Sequence, residues 1–128
     1  MEAPSLDLWL KEAKSDANAP KCGMYLFHNG IVRADARAKV REGNDTLPEV
    51  SAMEFSYDRE KTAKARETAL SMPGIYYVRI WMNEGRLSVG DDIMLVLVGG
   101  DTRPHVLDAL SGLVGELKSN CVSEKEVF

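Results

Sequence analysis

Six residues of this chain have the chemistry to hold or move charge at a site: Arg33, Arg103, Lys118, Lys125, His28 and His105. The segment Gly99-Gly100-Asp101-Thr102-Arg103 follows an apolar run and precedes a helical pattern. Backbone N–H groups and the helix dipole favour an anion at such a place. The segment fits neither G-x-x-x-x-G-K-[ST] nor G-x-G-x-x-G, so the alternative is a plain turn in which Asp101 or Thr102 caps the helix. Arg103 weighs towards an anion, because a guanidinium in a first helical turn opposes the dipole unless an anion or carboxylate accompanies it. Arg33, after apolar Ile31-Val32, is either a rim charge or an anion ligand. Lys118 and Lys125 stand seven residues apart and share a side only if one helix carries both; otherwise they are a helix-end cation and a tail charge. His28 and His105 have no acidic or nucleophilic partner at a diagnostic spacing and read as structural. Cys22 and Cys121 form no C-x-x-C pair and have no histidine at ligand spacing, so two free thiols and no metal or cofactor are expected.

The elements that must position these residues read as helix, strands, helix, strands, helix: one α+β domain spanning 1–128. Ser5 caps a short amphipathic helix that ends before Asp16-Ala-Asn-Ala-Pro20. Gly23 to His28 is a strand, and Asn29-Gly30 is either a hairpin turn leading into Ile31-Val32-Arg33 or a kink inside one long strand. Ala34 to Pro48, with Arg33, Arg37, Lys39 and Arg41 set against Asp35 and Glu42, reads as a mobile, locally basic loop. Val50 to Tyr57 alternates as a strand, and Asp58 caps a helix that Pro73-Gly74 stops. Ile75 to Met82 and Ile93 to Val98 are strands, the second apolar throughout as in a buried sheet. A last helix opens at Pro104 with Leu107, Leu110, Val114 and Leu117 on one face, followed by a short charged tail from Lys118 to Phe128.

The whole-chain balance narrows the function. Sixteen Lys+Arg against twenty Asp+Glu give a formal charge of −4 in 128 residues, which argues against general nucleic-acid binding. The hydrophobic fraction of 45% and charged fraction of 28% are those of a globular domain. No apolar stretch is long enough to span a membrane and no signal peptide is readable, so a cytoplasmic location without membrane contact is expected.

Taken in order, the motifs resemble the large, catalytic subunit of molybdopterin synthase, from about Ser5 to Lys125. That family's glycine, strand and G-x-V-R appear as Gly23-Met-Tyr-Leu-Phe-His-Asn-Gly30-Ile-Val32-Arg33. Its V-x-x-L-E-Y strand start is Val50-Ser-Ala-Met53-Glu54-Phe55, and its G-x-L-x-x-G-[DE] turn is Gly85-Arg-Leu87-Ser-Val-Gly90-Asp91. The H-R that opens its last helix is Thr102-Arg103, the closing L-K is Leu117-Lys118, and its second lysine falls at Lys125. The chain departs from the pattern at Thr102, at Met82-Asn83 where an H-R is frequent, and around Lys125.

The resemblance implies an α/β-hammerhead-like fold, with a mixed or antiparallel sheet and flanking helices. It implies a homodimer within a heterotetramer, each large subunit receiving the C-terminal Gly-Gly thiocarboxylate of a small ubiquitin-like sulfur-carrier subunit. The implied activity is that of a sulfurtransferase in molybdenum cofactor biosynthesis: two sulfurs pass to cyclic pyranopterin monophosphate and form the molybdopterin dithiolene. Lys118 and Lys125 are then the expected catalytic residues, and Arg33, Arg103 and Thr102 the expected substrate-binding ones. Guanidinium groups suit a phosphate, and an ammonium suits the charge that develops on acyl transfer. The alternative is a non-catalytic homologue that binds the carrier or acts as a scaffold.

Overall fold

The apolar run near residue 95 forms the centre of the molecule, a computed structural model that describes residues 2–43 and 48–128 without the side chains of Ala38, Lys39 and Glu42. Strand β5 (Asp92–Gly100) is flanked by β1 (Met24–Ile31) and β3 (Ile75–Met82), both antiparallel to it. A second sheet has β2 (Ala52–Tyr57) at its centre, between β4 (Gly85–Ser88) and β6 (Val122–Val127), again antiparallel. Helices α1 (Leu6–Lys14), α2 (Arg37–Glu42), α3 (Arg59–Leu70) and α4 (Arg103–Glu116), with a 3-10 turn at Ala19–Lys21 and a π turn at Leu117–Cys121, complete the described elements. The expected α+β class holds, with every described strand pairing antiparallel.

Strand β5 is covered on both faces because alternate side chains enter different cores. Met94, Val96 and Val98 pack with Val106, Ala109 and Leu113 of α4 and with Ala65 and Ala69 of α3. Leu95 and Leu97 pack the other way, against Trp9 and Ala13 of α1. Each of these large β5 side chains is at most 2% exposed, which stabilises the fold by about 1.5–3 kcal/mol apiece. Helix α1 is held by its Ser5 cap, whose Oγ accepts from Leu8 N at 3.2 Å, and by Arg79, which lies 4.5 Å from the Trp9 ring centroid and pairs with Glu12. Asp58 caps α3 by accepting from Lys61 N at 3.0 Å.

Several expectations are corrected. Of the two readings of Asn29-Gly30, the hairpin turn fails and the irregularity inside one long strand holds: both residues lie in β1, which is irregular between Gly30 and Ile31. Arg37 to Glu42 form helix α2 rather than loop, with Arg37 N donating to Glu126 Oε2 at 2.9 Å. The rest of that predicted loop at Asn44, Asp45, Thr46 and Leu47 lies outside the described residues. The charged tail is strand β6, which the sequence hid because its partner β2 lies far away in the chain: Ala52 faces Val127. The buried face of α4 is Val106, Ala109 and Leu113, continued just past its end by Leu117, and Leu107 is 47% exposed. Small Ala109 lets the helix approach the sheet closely, a contribution that a count of large residues overlooks.

The motif Gly85 to Asp91 frames β4 with left-handed glycines, Gly85 at φ 97° and Gly90 at φ 93°. Asn83, just before it, is buried, donates from Nδ2 to Asp92 O at 2.8 Å and accepts from Glu84 N, so it serves the turn. No helix among the described residues is long and apolar enough to cross a membrane.

Candidate active site

Two elements end side by side and create the site. Strand β1 delivers Ile31-Val32-Arg33, with Val32 buried and bonded through its N–H to Asp91 O at 3.0 Å, so the alternating Arg33 is turned outward. Helix α4 widens after Glu116 into a π turn, Leu117–Cys121. Leu117 and Cys121 are buried and anchor the turn, and Lys118 between them remains partly exposed. Such local π geometry is frequent where a side chain must be re-aimed at a site.

Between these ends lies a cleft of about 720 Å³. Arg33, Arg37, Arg41 and Lys118 bring four cations to its lining, Glu124 and Glu126 bring two carboxylates, and Ile31, Met53, Ile93 and Val114 supply apolar wall. The Lys118 ammonium lies 3.5 Å from Glu124 Oε1, an oxygen that has no hydrogen bond among the described residues. Arg33 Nε donates to Asp35 O at 3.1 Å. The chemistry on offer is capture of an anion by guanidinium groups beside an ammonium. A wider groove of about 810 Å³ between α1 and the start of β1 has, among the described residues, only Lys14 and Asp16 as charged lining.

Of the five expected catalytic and substrate-binding residues, Arg33 and Lys118 line one cleft. Lys125 lies on β6 between Glu124 and Glu126, and alternation sends its side chain to the opposite face, where Nζ lies 4.0 Å from Glu54 Oε2. The lysines do not share a helix, since α4 gives way to the π turn and then to β6. Thr102 and Arg103 stand at the start of α4, sixteen and fifteen residues before Lys118 and hence more than about 20 Å from it along the helix axis. The structure does not bring them to the cleft within one chain.

The glycine-rich segment before α4 is not a phosphate cradle. Gly99 and Gly100 belong to β5, and the anion at the helix start is the chain's own Asp101 carboxylate. Its Oδ1 accepts from Thr102 N at 2.6 Å and lies 2.7 Å from His105 Nδ1. His105 thus has an acidic partner after all, and its hydrogen bond leads the causes that hold Asp101 below the ordinary carboxylate range. His28 differs: burial, with the nearby Lys118 charge behind it, pushes its imidazole below the ordinary value and leaves it neutral at neutral pH. Burial likewise pushes the Cys121 thiol up, which keeps it protonated, and Cys22 is also free.

Sequence reasoning placed Arg37 and Arg41 in a locally basic segment without assigning them to the site, and passed over Glu124 and Glu126. The spacing of Arg33, Arg37 and Arg41 by fours and the alternation of Val122, Glu124 and Glu126 were the available signals. Among the described residues no cluster of three or more His, Cys, Asp or Glu is placed to hold a metal ion.

The profile of one protein family, described as MoaE protein, matches residues 5–120. The chain belongs to that family. No curated protein matches the chain significantly in sequence. Among solved structures, molybdopterin synthase from Staphylococcus aureus is similar with a TM-score of 0.75 at 16% identity, over 100% of this chain and 88% of that one. The molybdopterin biosynthesis MoaE protein from Burkholderia ambifaria MC40-6 reaches 0.73 at 20% identity, over 99% and 84%. A complex of subunits 1 and 2 of the molybdopterin-converting factor from Helicobacter pylori 26695 reaches 0.66 at 18%, over 98% and 84%. At these identities the likeness establishes the fold, which is that of MoaE structures.

Proposed function

We propose that this chain is a sulfurtransferase of molybdenum cofactor biosynthesis, passing sulfur from the C-terminal thiocarboxylate of a small ubiquitin-like carrier to cyclic pyranopterin monophosphate. The observation that carries this reading is that Arg33 and Lys118, distant in sequence, line one cationic cleft in a chain of the MoaE family. Arg33 holds the substrate phosphate, with Arg37 and Arg41 beside it. Lys118 stabilises the charge that develops on the carrier's terminal carbonyl as water attacks it and its C–S bond breaks, leaving the sulfur on the pterin and the carrier as a carboxylate. The Helicobacter pylori complex, which joins two subunits, supports a small-subunit partner.

Arg103 and Thr102 enter this scheme through the homodimer. Their distance from Lys118 within one chain means that a second copy must present its α4 start to the cleft if they are to touch the same substrate. Lys125, exposed on the outer face of β6, is suited to hold the carrier rather than the reacting atoms.

The test is to mix the purified protein with thiocarboxylated carrier and the pyranopterin and to follow dithiolene formation. Product, lost in Lys118→Ala, is the expected result; carrier binding without product overturns the catalytic reading. The outward Lys125 favours one second reading, a carrier-binding homologue without chemistry, and that same result would establish it.

A further inference from the structure

Helix α2 brings two cations to the cleft, yet its own start lacks a local cap. It has six residues, whereas isolated helices shorter than about 12 residues are marginal in water. Arg37 and Arg41 stand four apart, on one face of the helix, and both line the cleft. The first N–H groups of a helix have no acceptor within it, and Ala36 at the N-cap has no side-chain oxygen to offer. The acceptor comes from the far end of the chain: Glu126 Oε2 on β6 accepts from Arg37 N at 2.9 Å, across 89 residues. Glu126 also lines the cleft, two residues from Glu124 on the same face of β6. A carboxylate in a cleft that gathers cations for an anion repels that anion, so its presence there needs a compensating role.

We propose that Glu126 is a positioning residue of this cleft: its bond to Arg37 N docks α2 against β6 and so presents Arg37 and Arg41 to the phosphate of the ligand. The proposal rests on the reading of the cleft as a phosphate site. Glu126 acts through the two arginines and not by touching the ligand. The two carboxylates of β6 then serve different elements, Glu124 engaging Lys118 at the end of α4 and Glu126 the start of α2. A charge-assisted bond from carboxylate to backbone N–H is strong enough to hold a helix this short. The two effects of Glu126 on anion binding have opposite signs: its charge weakens binding, and its hold on α2 strengthens it.

The experiment compares wild type, Glu126→Gln and Glu126→Ala by calorimetric titration with inorganic phosphate at fixed ionic strength. Glu126→Gln loses the charge but keeps an acceptor oxygen, and is expected to bind phosphate at least as tightly as wild type. Glu126→Ala loses both and is expected to bind about tenfold more weakly, on the scale of a hydrogen bond to a charged group. Arg41→Ala, one helical turn from the bond, is expected to cost several-fold in wild type and less than about twofold in Glu126→Ala, a coupling that a uniform loss of stability does not produce. Amide exchange at Arg37 is slow in wild type and in Glu126→Gln and fast in Glu126→Ala. Two Glu126 variants that change phosphate affinity alike, in either direction, with the full cost of Arg41→Ala in both backgrounds, overturn the proposal and leave the function standing. If wild type binds neither phosphate nor the pyranopterin, the reading of the cleft falls and takes this role with it. Should Glu126→Ala fail to fold, the Arg37 amide decides: exchange in wild type as fast as in an open chain overturns the proposal.

Discussion

The ammonium of Lys118 lies 3.5 Å from Glu124 Oε1, so the cleft's proposed catalytic cation is already engaged by a carboxylate of β6. An incoming anion must compete with Glu124. Glu124→Gln removes the competing charge and is expected to tighten inorganic phosphate binding several-fold, on the order of the 0.5–1 kcal/mol of a partly exposed ion pair. Titration of phosphate at fixed ionic strength checks this, and weaker binding in the variant would show that Glu124 positions Lys118 rather than restraining it.

The two lysines should separate kinetically. Lys118→Ala is expected to lower single-turnover sulfur transfer by about 10²–10³-fold, as for loss of a group that stabilises developing charge. Lys125→Ala, on the other face of β6, should raise the carrier's KM and leave the single-turnover rate nearly unchanged. A collapse of that rate in Lys125→Ala would place it among the reacting groups.

Tyr25 gives the fold an alkaline limit. Its hydroxyl donates to Ala13 O at 3.3 Å, and burial, followed by the neighbouring Cys22 thiol, pushes its pKa up to about 12. The folded state favours the protonated phenol, so this contribution is complete below pH 10 and fades as pH rises from 10 through about 12. Tyr25→Phe should cost roughly 0.5–1.5 kcal/mol near neutrality. Thermal melts of both proteins should converge as pH climbs through that window; a gap that widens would contradict the assignment.

Gly74 is predicted to tolerate no side chain. It has φ 78°, its carbonyl accepts from Asp101 N at 2.9 Å, and a Cβ would strike Asp101 Oδ1 and His105 Nδ1. Gly74→Ala should destabilise by more than about 1 kcal/mol, read as a lowered Tm, because it adds both left-handed strain and a clash with the Asp101–His105 pair at the start of α4. Pairing it with His105→Ala should recover part of the loss, since one of the two obstructed groups is then gone.

What could be read directly in the chain was what is local. The Ser5 and Asp58 caps and the apolar β5 run were legible because each depends on neighbours a few residues away. Strand β6 was not, since its pairing with β2 is long-range and its Glu-Lys-Glu surface looks like a solvated tail. The Asp101–His105 contact was visible as a spacing of four and passed over, because the glycines beside it drew attention to a phosphate. The meeting of Arg33 with Lys118 was suggested by resemblance to a family and not by spacing; only the packing of α4 along β5 and β1 puts them in one cleft.

A strand with two inner faces offers no side on which a change can be hidden, and β5 is such a strand. Substitution there is limited to exchanges that conserve volume for two cores at once. Arg37, Arg41, Glu124 and Glu126 belong to neither core, so the charges of the cleft can be rewritten without disturbing β5. The architecture thereby separates what keeps the shape from what sets the charge of the cleft, and the fold is shared with structures only 16–20% identical.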